Sequence, residues 1–101
     1  MSYRTEFPDY LPSDIPNVFL SGEWTDESWH NNSCPSFANG RCEVFVEPLN
    51  PSDRDIPECP RFSVYPDIYN IGEWVNVVDE RGAYHTNSLS DALAFIATLP
   101  R

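Results

Sequence analysis

With 101 residues, 41% of them apolar and 14% aromatic, the chain has material for one hydrophobic core and no room for a second domain. Sixteen Asp and Glu stand against six Arg, Lys is absent, and the formal net charge is -10. That balance argues against nucleic acid as a direct ligand and against an anionic membrane surface, because both require clustered cations.

It favours a basic protein surface as partner, with acidity for solubility alone as the alternative. No apolar run approaches the ~20 residues that span a bilayer. The opening residues, Met1 to Pro8, lack the apolar stretch of a signal peptide, so a cytosolic setting is expected. Three cysteines, Cys34, Cys42 and Cys59, are an odd number and read as thiols rather than as a disulfide framework.

In chain order, residues 1–17 carry Pro8, Pro12 and Pro16, a spacing that forbids a continuous helix or a central strand. The expectation is an extended arm, pinned across the body by Phe7, Tyr10, Leu11 and Ile15. Val18-Phe19-Leu20 predicts a short strand ended by Ser21-Gly22. Glu23 to Asn39 then reads as a long ordered loop rich in Trp, Asn, Ser and acids.

Cys42 to Glu47 alternates in polarity between Asn39-Gly40 and Pro48, which predicts a strand. Leu49 to Pro60 is a polar, proline-rich connection, and Arg61 to Tyr65 a further strand stopped by Pro66-Asp67. Glu73 to Val78 is β-branched and aromatic, Asp79-Glu80-Arg81-Gly82 has the pattern of a hairpin turn, and Ala83 to Thr86 is the returning strand. Ser88 offers an N-cap with Asp91 three residues on. Leu89, Ala92, Leu93, Ile96 and Leu99 recur at helical spacing before Pro100, so 88–99 is a C-terminal helix. The fold class is α+β: one domain over 1–101, an antiparallel β-meander of four to five strands within 18–87, and a helix buried on one sheet face.

The stretch Trp24 to Phe37 concentrates two Trp, a His, a Cys and two Asn. As chemistry, Cys34 with His30 or His85 as base would make a thiol nucleophile. The thiol lacks the glycine-rich surroundings that supply oxyanion donors. A zinc site from His30, Cys34, Cys42 and Cys59 lacks the close Cys pair that aims two thiolates at one ion. The calcium-loop spacing and the phosphate-cradling glycine loop are both missing, so neither catalysis nor a cofactor is expected. As a binding surface, Trp24 and Trp29 give contact area at low entropy cost while Asn31 and Asn32 exchange hydrogen bonds. The competing reading places both Trp over the core. Three acidic clusters, Glu23/Asp26/Glu27, Asp53/Asp55/Glu58 and Asp79/Glu80, complete the partner-binding set. Brought to one face, they would imitate a phosphate backbone.

The short acidic layout, with Ser28 to Asn32 and Pro35-Ser36-Phe37 ahead of the strands and Asp91 to Ile96 at the end, resembles small accessory proteins of phages and mobile elements. Anti-CRISPR proteins are among them. The resemblance lies in overall style, and no functional residue is carried over from it. It implies a non-enzymatic inhibitor that occupies a nuclease or CRISPR effector complex and blocks nucleic-acid entry, several members doing so by acidic mimicry. The alternatives are an interaction module or virion-associated protein using the aromatic loop, and a small thiol or zinc enzyme.

Overall fold

A computed structural model of the chain describes residues 2–54, 56–66, 78 and 82–99. The polypeptide opens with a single helical turn, α1 (Tyr3–Glu6), capped by Ser2, whose side chain accepts from the Arg4 N–H. Among the described residues five strands follow: β1 (Thr25–Asp26), β2 (Ser36–Ala38), β3 (Cys42–Val46), β4 (Phe62–Pro66) and β5 (Tyr84–Thr86). They form one sheet in the order β1-β2-β3-β4-β5, each neighbour antiparallel. Helix α2 (Leu89–Ala97) closes one face. The α+β meander with a C-terminal helix on the sheet is the architecture the sequence predicts.

Alternation within β3 creates the two faces. Cys42, Val44 and Val46 are fully buried, whereas Glu43 and Phe45 are half-buried on the opposite side. Pairing of Phe37 with Val44 and of Val44 with Val64 carries the inward row across the sheet. Helix α2 lies on that row, burying Ala92, Phe95 and Ile96, and Phe95 stacks on Tyr84 with ring centroids 4.7 Å apart. Its first turn is secured by Ser88, whose hydroxyl accepts from the Asp91 N–H at 3.2 Å. Glycine is needed at the turn between β2 and β3, where Gly40 takes φ +87 and Asn39 Oδ1 accepts from the N–H groups of Arg41 and Cys42. A side chain at that φ is strained.

Three expectations change. Val18-Phe19-Leu20 is not a strand: Asn17–Leu20 forms a turn of 3-10 helix after Pro16. That geometry sends Phe19 inward while Leu20 stays 46% exposed, and Phe19 contacts Trp24, Phe37 and Phe62. The loop predicted from Glu23 to Asn39 contains β1 and β2, too short for their alternation to register. The proline-rich arm is pinned to the body, as expected, by Tyr10 and Ile15, with Tyr3 taking the place expected of Leu11. Tyr3 and Ile15 are buried, Leu11 is exposed, and the Tyr10 hydroxyl donates to the Val46 carbonyl at 3.2 Å.

The strand predicted over Glu73 to Val78 and the turn Asp79 to Gly82 lie outside the described residues except at two positions. Val78 bridges antiparallel to Tyr84, and Gly82 takes φ +82. Among the described residues no helix is long and apolar enough to cross a membrane.

Candidate functional site: an aromatic and acidic groove on the helix-free sheet face

The face of the sheet opposite α2 is assembled by register. Ser36 pairs with Phe45, Phe45 with Ser63 and Ser63 with His85, so these four side chains form one row across β2 to β5. The next row holds Glu43 opposite Tyr65. Phe45 and Tyr65 meet edge to face with centroids 5.4 Å apart, and Tyr65 meets His85 at 6.5 Å. The polar groups between the rings bond to one another. Ser36 Oγ donates to Glu43 Oε2 at 2.8 Å, and Ser63 Oγ lies 2.8 Å from His85 Nδ1.

These side chains floor an open groove of about 710 Å³ whose wall includes Cys34, Cys59 and Glu47. Beyond Glu47 the surface continues into a smaller cleft of about 270 Å³, where Glu6, Asp9 and Asp53 join Glu47 around Phe7 and Tyr10. Ser33 and Glu47 line both, so aromatic floor and carboxylate cleft are continuous.

Position within this cleft is set by the N-terminal arm. Tyr3 N–H donates to Asp26 Oδ2 at 2.7 Å, and buried Asp14 accepts from Leu11 N–H and from Leu49 N–H, tying the arm to the segment after β3. Glu6, the last residue of α1, accepts from the His30 backbone N–H at 3.2 Å, and its Oε1 lies 2.9 Å from His30 Nδ1. Hydrogen bonding to the His30 side chain, then to its backbone N–H, holds the Glu6 carboxyl below the usual carboxylate range.

The described arginines point elsewhere. Arg54 is buried and donates to the carbonyls of Pro48, Cys59 and Leu49. Arg61 donates to the Asp14 carbonyl at 2.7 Å, sits over the Phe62 ring, and burial pushes its guanidinium below its usual pKa. Arg41 reaches the Ile96 carbonyl at 3.5 Å, and Arg4 lies over the ring of its neighbour Tyr3 at 5.8 Å. Between described residues the one contact of ion-pair geometry is that of His30 Nδ1 with Glu6 Oε1, at 2.9 Å.

The partner-binding residues expected from sequence separate into groups. Trp24 packs edge-on against Phe19 at 4.9 Å and belongs to the rim of the core. Trp29 is 42% exposed, its ring 4.3 Å from that of His30. Glu23 lines a different recess beside Trp24 and Arg41, Glu27 is exposed, and Asp26 is engaged by the N–H groups of Tyr3 and Ser28. Asn31 and Asn32 are exposed, and Asn32 reaches the rim of the main groove. Asp53 lies in the acidic cleft and Glu58 is exposed. Asp55, Asp79 and Glu80 lie outside the described residues.

Sequence reasoning missed Glu6, Asp9, Glu43, Phe45, Glu47 and Tyr65. For three of them a signal existed: Glu43, Phe45 and Glu47 fall at alternate positions of one strand pattern and therefore on one face. Cys34 and Cys42 are buried and Cys59 half-buried, and none of the three is joined in a disulfide. Among the described residues no three His, Cys, Asp or Glu side chains converge to hold a metal ion. Comparison with protein-family models, with curated proteins and with solved structures finds no match, so the site rests on its own geometry.

Proposed function

We propose that this protein is a non-enzymatic inhibitor that docks an acidic surface on a basic nucleic-acid-binding surface of a host defence nuclease or CRISPR effector complex. Nucleic acid is thereby kept from that surface. The observation that carries this reading is the division of charge between inside and outside. Arg41, Arg54 and Arg61 hold backbone carbonyls, while Asp9, Glu23, Glu27, Asp53, Glu58 and Asp91 are exposed. An acidic surface whose described arginines other than Arg4 donate to backbone carbonyls attracts a basic partner and orients its approach. The resemblance to anti-CRISPR proteins supplies the class of target.

The test is neutralisation. Glu→Gln and Asp→Asn changes at Glu23, Glu27, Asp53 and Glu58 should weaken binding to such an effector by roughly tenfold or more at low salt, with the loss shrinking as salt rises. Binding that persists unchanged in the neutralised protein would overturn the mimicry.

One further observation favours a second reading. Trp29 is 42% exposed at a loop surface, and buried aromatic anchors dominate many interfaces. In an aromatic-loop interaction module Trp29→Ala abolishes binding and salt hardly matters.

A further inference from the structure

Resting on that reading, the groove opposite α2 specifies what part of the basic partner enters it. We infer that the groove accepts an extended, arginine-bearing segment of the partner protein, laid along β3 across Phe45 and Tyr65.

Three features select arginine. First, the described residues that line the groove and its cleft include five carboxylates, Glu6, Asp9, Glu43, Glu47 and Asp53, and no Arg. The charge of the described lining is thus opposite to the ligand's. Second, aromatic rings lie between carboxylates: Phe45 stands two residues from Glu43 and two from Glu47 on the same face, with Tyr65 edge-on at 5.4 Å. A guanidinium is planar, stacks on rings by its faces and donates from its edge to carboxylates, so it satisfies both kinds of wall at once. A lysine ammonium satisfies the carboxylates but stacks on neither ring. Third, the spacing fits an extended chain. Glu43 and Glu47 are four strand positions apart, ~13 Å at the rise of a β-strand, and two same-face arginines four residues apart in an extended partner span the same interval. The Glu47 N–H donates to the Arg61 carbonyl at 2.7 Å, which keeps Glu47 in strand geometry one residue past the end of β3.

Calorimetry with the intact protein at low salt tests this, using a peptide with arginines at alternate positions, its lysine counterpart and an acidic control. The arginine peptide should bind about fivefold or more tightly than the lysine peptide. Glu43→Gln with Glu47→Gln should weaken arginine-peptide binding about fivefold or more. Glu23→Gln with Glu27→Gln, outside the groove, should change it by less than about twofold. The amide oxygen that Glu43→Gln introduces can still accept from Ser36 Oγ, and an unchanged melting temperature confirms that the variant folds. Amide shifts on peptide addition should centre on Phe45, Ser63 and Tyr65.

Equal losses in the two double variants, or equal affinity for arginine and lysine peptides, would overturn the groove while leaving a diffuse acidic surface intact. Failure of both basic peptides to bind the wild-type protein at low salt would overturn the groove and the acidic-docking reading together.

Discussion

The Glu6 carboxyl, which lines the acidic cleft, meets the His30 backbone and ring, and the lowered pKa of Glu6 makes the contact sensitive to acid. A carboxyl with a folded-state pKa below its unfolded value contributes stability that is fully present above the unfolded value. That contribution is lost as pH falls through the folded one. Stability should therefore decline as pH drops through and below the ordinary carboxylate range. In His30→Ala the Glu6 carboxyl should titrate nearer its ordinary value by NMR, with a smaller share of the acid loss. Asp14 is a different kind of residue, only 6% exposed and accepting from the N–H groups of Leu11 and Leu49. Removing the acceptor leaves donors without partners, and a buried donor left unmade costs about 1–3 kcal/mol. Asp14→Ala should lower unfolding free energy by that order in urea titration, and with it loosen the hold of the arm on the segment after β3.

At the scale of elements, α2 depends on its cap and on one aromatic stack. Ser88→Ala removes the acceptor for the Asp91 N–H and should cost about 1 kcal/mol. Phe95→Ala removes a fully buried ring stacked on Tyr84 and should cost about 3–5 kcal/mol, enough to unfold a domain of marginal stability. Thermal melts of the two variants check the order of these losses. The elements legible in the sequence are those with a full period to read. β3 has five residues of strict alternation and α2 has its cap, stripe and terminal proline, so each is visible without tertiary context. β1 and β2 have two and three residues, too few for alternation to repeat twice, and are strands because β3 supplies a ladder for β2 and β2 one for β1. Val18-Phe19-Leu20 has strand composition but follows Pro16 and lacks a neighbouring ladder among the described residues, so a tight turn that buries Phe19 alone prevails. The groove was legible only in part. Alternation in β3 places Glu43, Phe45 and Glu47 on one face. The pairing that brings Tyr65 beside them, and the folding back of the arm that brings Glu6 and Asp9, depend on contacts distant in sequence.

At the scale of the whole molecule, a net charge of -10 is divided so that Arg41, Arg54 and Arg61 reach backbone carbonyls while most described acids face solvent. Self-repulsion on that surface opposes folding, and a basic partner relieves it. Melting temperature should accordingly rise with moderate salt in the free protein, as screening weakens repulsion between exposed carboxylates. The same screening should weaken association. Competition with nucleic acid tests whether the acidic surface occupies the site that nucleic acid otherwise takes. Labelled duplex is bound to a CRISPR effector complex or a comparable defence nuclease, the protein is titrated in, and duplex release is followed by fluorescence anisotropy at several salt concentrations. Docking at that site should give full displacement by a competitive isotherm whose midpoint moves to higher protein concentration when the exposed carboxylates are neutralised. Undisturbed anisotropy across the titration, or formation of a ternary complex that retains the duplex, would contradict it.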